Sequence, residues 1–141
     1  MELILNMTKK IFIKTILVWF LLAFLATVNG SVRNFLYKPW VGDLVAHWIS
    51  TFVFVVVIFL VTYWAFCKNL SELSDQVLLS IGFIWVLFTE AFEFLAGHYL
   101  FGNSWDKLLA DYNLLAGRLW LLVVLATFFS PYLVGYFFRK K

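Results

Sequence analysis

Two glutamates, two histidines and an arginine carry most of the chemistry open to this chain. Glu90 and Glu93 stand three residues apart, His98 follows five residues later, and Arg118 lies further on. From Val77 to Glu90 the sequence is almost entirely apolar, and so is the run from Leu119 to Phe138. A charge in such surroundings costs about 2.5–3.5 kcal/mol at the centre of a membrane helix. Something must compensate it, which makes this stretch the first place to look for function. Three chemistries are open. A carboxylate can pair bidentately with the planar fork of Arg118 and so join two helices. The two carboxylates share roughly one helix face, and with His47 and His98 they can bind a cation or relay protons. The third is catalysis on a lipid or prenyl substrate at the membrane interface.

A metal reading fails on spacing. Glu-x-x-Glu with two histidines offers suitable ligand types. Yet the chain has no His-x-x-x-His and no Glu-x-x-His pair, and the histidines fall on different segments. No metal site and no cofactor is assigned. Ser50 and Ser104 lie in no nucleophile elbow, and there is no phosphate loop or internal repeat.

The elements that must position these residues are membrane spans. Of 141 residues, 64% are apolar and only 13% charged, and the mean hydropathy is +0.92. Soluble domains run at roughly 45–50% apolar. The predicted fold is all-α: a single integral membrane domain over residues 1–141 built as a four-helix bundle. A span needs about 20 mostly apolar residues. Four segments qualify, at about residues 11–28, 44–66, 77–95 and 119–138. Asn29-Gly30-Ser31 is expected to end the first, Lys68 to Gln76 forms a polar turn, and Gly97 and Gly102 interrupt the third connection. The first span also has features of a cleaved signal peptide, but its bulky Trp19, Phe20 and Phe24 and its length favour a retained span. Pro131 removes a backbone hydrogen bond inside the fourth span. Cys67 is the sole cysteine and has no partner for a disulfide.

Charge sets the expected orientation. The N-terminus, second loop and C-terminus carry Lys9, Lys10, Lys14, Lys68, Arg139, Lys140 and Lys141; the other two loops carry Arg33, Lys38, Lys107 and Arg118. This excess places both termini in the cytoplasm. Trp40, Trp48, Trp105 and Trp120 then fall near the outer interface. The net charge of +3 is small and scattered, which argues against nucleic acid as a partner. The expected partner is the lipid bilayer, with a homo-oligomer or larger membrane complex left open.

Depth gathers the polar residues into one layer. At 1.5 Å per residue, Glu90 lies ~20 Å from the inner end of its span, in the outer third of the bilayer. His98, Arg118 and His47 fall at a similar height. Asp43 is positioned to cap the second span, and Arg33, Asp111 and Asn113 are supporting candidates from the outer connections. Between Gly102 and the fourth span, Trp105, Leu108, Leu109 and Tyr112 recur at helical spacing. They predict a short amphipathic interfacial helix over about residues 105–112, capped by Asn103 or Ser104. It serves either as an anchor or as a lid, with Asp111 and Asn113 nearest the site.

A longer pattern runs through these residues. It reads Glu93-Phe94-x-x-Gly97-His98-Tyr99-x-x-Gly102-x-Ser104-Trp105-x-x-Leu108-Leu109-x-Asp111-Tyr112-Asn113-x-x-x-Gly117-Arg118-x-Trp120. Upstream stand Gly30-x-x-Arg33 and Pro39-x-x-Gly42-x-x-x-Ala46-His47. Together they resemble a family of small bacterial four-span inner-membrane proteins of unassigned function, over about residues 30 to 134. Members of that family often carry an acidic residue after the first-loop arginine; Asn34 stands there in this chain, which weakens an Arg-carboxylate pair at that point. The resemblance implies a multi-pass protein of the bacterial inner membrane and brings no activity with it. The expected function is binding or transport of a cation, proton or small solute. The alternatives are a structural or accessory subunit held by Glu-Arg pairs and an interfacial lipid-modifying enzyme.

Overall fold

The computed structural model describes residues 8–140; Lys141, counted above with the C-terminal charges, lies outside them. Helix α1 covers Lys9–Val32 and passes through a π-helical turn, Arg33–Tyr37, into the short α2, Lys38–Val41. Helix α3 is Asp43–Phe66 and α4 is Asp75–Leu95, which continues through a second π turn at Ala96–Leu100. The short α5, Trp105–Ala110, and a 3₁₀ turn, Leu114–Ala116, lead into α6, Trp120–Phe138. Four of these stretches are long and apolar enough to cross a membrane: Lys9–Val41, Asp43–Phe66, Asp75–Leu100 and Trp120–Phe138. No strand occurs among the described residues.

The caps follow side-chain chemistry. The hydroxyls of Thr8, Ser74 and Ser104 accept from the backbone N–H of Ile11, Val77 and Lys107 at 3.4, 3.3 and 3.2 Å. Each satisfies an orphan donor of a first turn. At α3 the cap is Gly42, with φ +85°. Asp43, expected as the cap, is instead the first helical residue, where a carboxylate favours the positive end of the helix dipole.

Two expected breaks are absent. The helix runs through Asn29-Gly30-Ser31 and on to Val41. The Asn29 side chain leaves its own backbone alone and donates across to Ser50, to O at 3.1 Å and to Oγ at 2.9 Å. Pro39 is accommodated by the π turn just before it, where Lys38 N–H bonds to Arg33 O. At 33 residues this helix is ~50 Å long, against about 30 Å for a typical hydrocarbon core. Gly97 likewise lies within helix, in the π turn closed by Phe101 N–H to Ala96 O.

Packing differs between the two ends of the bundle. At the end carrying both termini, Phe66, Leu78, Ile81, Trp85 and Val134 are buried in a continuous core. Helices α4 and α6 approach closely at Gly82, where an added Cβ would collide with the carbonyl of Phe128. The backbone oxygen of Thr127, which Pro131 cannot bond, faces the Ser130 hydroxyl at 3.5 Å, and that hydroxyl lies 3.2 Å from Thr62 Oγ1 on α3. Arg139 closes this end, donating to Leu70 O and Leu73 O and pairing with Asp75 at 2.9 Å. Toward the opposite end, α1 does not fill the space between its neighbours.

Candidate functional site

The unfilled space is a half-open cavity of about 400 Å³ between α1, α3, α4 and α6. Its origin is a stripe of small residues on α1. Ala23, Ala26, Thr27 and Gly30 recur at i, i+3, i+4 and i+7, so they share one face, and all line the cavity. A Cβ added at Gly30 would meet nothing within 4 Å.

The walls grade from polar to apolar. On α3 the lining runs His47, Ser50, Thr51, Phe54, Ile58, a distance of ~16 Å along the axis. On α1 and the π turn that follows it, the lining runs from Arg33 and Asn29 down to Leu22 and Trp19. Helix α4 contributes Gly97, Glu93 and Thr89, and α6 contributes Trp120, Val123 and Thr127. The polar mouth is covered by Asn103, Leu108 and Asp111 from the connection between α4 and α6. Leu108 is buried, with a methyl so close to Gly97 that a Cβ there would lie 2.8 Å from it.

Of the residues singled out by sequence, the cavity collects Glu93, His47, Arg33 and Asp111. Glu93 is half-buried, and its Oε2 is buried with no hydrogen-bond partner. His47 Nε2 accepts the backbone N–H of Leu119 at 2.9 Å. A nitrogen that accepts carries no proton, so the ring is neutral and its proton sits on Nδ1. Among the described residues, the Arg33 side chain makes one hydrogen bond, to Asn34 at 3.3 Å, and no ion pair.

The others hold the mouth together. Glu90 points to the connection: Tyr112 donates its O–H to Glu90 Oε2 at 2.6 Å, and the Trp120 indole donates to the Tyr112 oxygen at 3.1 Å. Burial, and then the bond to Glu90, push the Tyr112 phenol pKa far above its ordinary value, so the hydroxyl remains a donor. Glu90 Oε1 is buried without a partner. Arg118, expected beside a glutamate of the third span, pairs with Asp43 at 2.9 Å and approaches Asp111 at 3.9 Å; Lys38 also pairs with Asp43, at 2.8 Å. The reason is position. Arg118 follows Gly117, whose carbonyl accepts from the Trp48 indole at 2.8 Å, and this docks the chain onto the start of α3.

His98 lies outside the cavity, with Nδ1 2.8 Å from Asn103 O and its ring stacked on Trp105 at 3.9 Å. Asn113 is exposed and its Oδ1 caps the 3₁₀ turn through Ala116 N–H at 3.2 Å, so it takes no part in covering the site. The expected stripe on α5 divides. Trp105 and Tyr112 stack against Phe94, Leu108 turns inward, and Leu109 faces outward, 56% exposed.

No family model, curated protein or solved structure is found to match this chain. Its chemistry must be read from the site itself. Among the described residues no group of three His, Cys, Asp or Glu is placed to hold a metal ion. Sequence reasoning missed Asn29, Ser50, Thr51, Thr89 and Thr127. For the first four the signal was helical register, since Asn29 shares a face with Ala26 and Arg33, Ser50 and Thr51 with His47, and Thr89 with Glu93; Thr127 had no such signal.

Proposed function

We propose that this is a multi-pass membrane protein that receives a small amphipathic solute into its bundle, with Glu93 accepting from the solute's donor or cationic head. One observation carries the reading: a buried glutamate oxygen without a partner on the wall of a cavity of about 400 Å³. An unpaired polar atom in apolar surroundings is costly unless something hydrogen-bonds to it. Volumes of about 300–1,000 Å³ with mostly apolar walls and a few placed polar groups are typical of small-molecule sites. A purely structural role for the glutamate would be supported by an ion pair with Arg118, and Arg118 is engaged by Asp43.

The membrane setting is part of the proposal. The Lys and Arg excess at the two termini and the second loop favours a cytoplasmic location for that end. The cavity mouth then opens on the outer side, with α5 lying at the interface as a partial cover. The resemblance noted above favours the bacterial inner membrane. The packed core of Phe66, Leu78 and Trp85 at the cytoplasmic end favours exchange with the outer side over a continuous pore.

The test is access. In a Cys67→Ser background, Ala26→Cys in right-side-out vesicles should react with the small cationic reagent methanethiosulfonate ethylammonium. Octylammonium should slow the reaction, and Gly30→Phe on the same chain should block it. An Ala26→Cys that stays unreactive while an Asp106→Cys control labels readily would overturn the reading.

A further inference from the structure

The cavity carries charge chemistry of both signs. Acceptors come from α4 and the connection after it: Glu93, with its unpartnered oxygen, and Asp111. Donors come from the π turn after α1 and from α3: the Arg33 guanidinium, which has no ion-pair partner among the described residues, and the Nδ1–H of His47. Asp111 is partly engaged by Arg118 at 3.9 Å. Glu93 therefore remains as the open acceptor, and Arg33 with His47 as the open donors. A simple cation would satisfy only Glu93 and leave the Arg33 guanidinium unanswered.

We infer that the ligand head is a zwitterion, with an amine that meets Glu93 and an anionic oxygen group, phosphate or carboxylate, that meets Arg33 and His47. This rests on the binding role proposed for the cavity. The guanidinium fork suits phosphate oxygens, to which it bonds in pairs. Below the charged layer the wall becomes Leu22, Phe54, Ile58 and Val123, so the head carries an apolar tail that points toward the middle of the bilayer. The ligand class is an amine–phosphate amphiphile of one chain, the head chemistry of an aminophospholipid. The π turn at Arg33–Tyr37 serves this arrangement. Arg33 begins that turn, and π turns recur at functional sites.

Native mass spectrometry of the full chain in maltoside micelles tests this with four probes: lysophosphatidylethanolamine, lysophosphatidic acid, octylammonium and free phosphoethanolamine. The lysophosphatidylethanolamine should bind most tightly. Arg33→Gln should weaken it about tenfold, as loss of one charge-assisted contact does, and leave octylammonium unchanged, while Arg33→Lys should retain part of the affinity. Glu93→Gln should erase the preference for lysophosphatidylethanolamine over lysophosphatidic acid. Free phosphoethanolamine binding as tightly as the lyso-lipid would assign the head to a soluble source; weak binding of the free head would assign it to the membrane. Octylammonium binding with no advantage for the zwitterion and no effect of Arg33→Gln would overturn this inference alone. Failure of all four probes to bind would overturn the binding role with it. Melting temperatures of the variants within a few degrees of the parent certify that each is folded.

Discussion

The Tyr112 hydroxyl donates to Glu90 Oε2 across 2.6 Å and accepts from the Trp120 indole at 3.1 Å, which ties the segment before α6 to the third span through a glutamate that never reaches the cavity. The neighbouring glutamate, Glu93, does reach it. Three residues of helix thus separate a carboxylate that fastens the mouth from one that is free to meet a ligand.

Tyr112→Phe removes the donor and leaves Glu90 with two orphan oxygens. It should lower stability by about 1–3 kcal/mol, read as the melting temperature in detergent. Adding Glu90→Gln should cost little more, because the bond is already gone. A pH signature accompanies this. The phenol is held protonated in the folded state, whereas in the unfolded chain it ionises near pH 10. Its contribution is therefore complete below about pH 10 and is lost as pH rises further. Tyr112→Phe should flatten that alkaline step; an unchanged step would assign it elsewhere.

Arg118 and Asp43 should be coupled, while Arg118 and Glu93 should not. Both members of the first pair are partly exposed, at 32% and 50%, so a coupling of about 0.5–1 kcal/mol is expected. The Arg118→Gln, Glu93→Gln cycle should be additive within about 0.5 kcal/mol. Strong coupling in that second cycle would restore the interhelical glutamate–arginine pair.

Glycines at the two ends of the bundle should respond oppositely. Gly82→Ala forces a methyl into the carbonyl of Phe128 on α6 and should destabilise by about 1–3 kcal/mol. Gly30→Ala enters open space and should be neutral or slightly stabilising through helix propensity, by up to about 1 kcal/mol. Thermal unfolding in detergent separates them; equal losses would mean that α1 closes on the bundle.

The short helix offers a labelling test. Leu108 is buried against Gly97, whereas Asp106 is exposed. In a Cys67→Ser background, Leu108→Cys should react slowly with a membrane-impermeant thiol reagent and Asp106→Cys rapidly. Equal rapid reaction would show a mobile loop.

Four long apolar helices and a short helix at Trp105 were legible in the sequence, because hydropathy and helix caps are local properties. The continuation of α1 past Gly30 was not, since it depends on Asn29 bonding to Ser50 on another helix. That His47 and Glu93 lie toward the same end of the bundle was legible, because rise per residue fixes height along a helix. Which polar residues face inward was not, because spans apolar on all sides hide their azimuth. That is why Glu90 and Glu93 looked equivalent, and why His98, at the right height, turned out to stack on Trp105 outside the cavity. Arg118 was misassigned for a related reason: its direction is set by the docking of Gly117 on Trp48. The spacing of Ala23, Ala26, Thr27 and Gly30 is plain in the sequence. Only the fold shows that this stripe faces space.

The most direct test of the central claim is binding of octylammonium against octanol to the protein in maltoside micelles, measured for the parent, Glu93→Gln and Gly30→Phe. The account predicts saturable binding of octylammonium to the parent, about tenfold or more tighter than octanol, as a contact between a cation and a buried carboxylate gives. Glu93→Gln should reduce the two to equal, weak binding, and Gly30→Phe should abolish both by filling the cavity. Octylammonium binding that survives Glu93→Gln unchanged would contradict it.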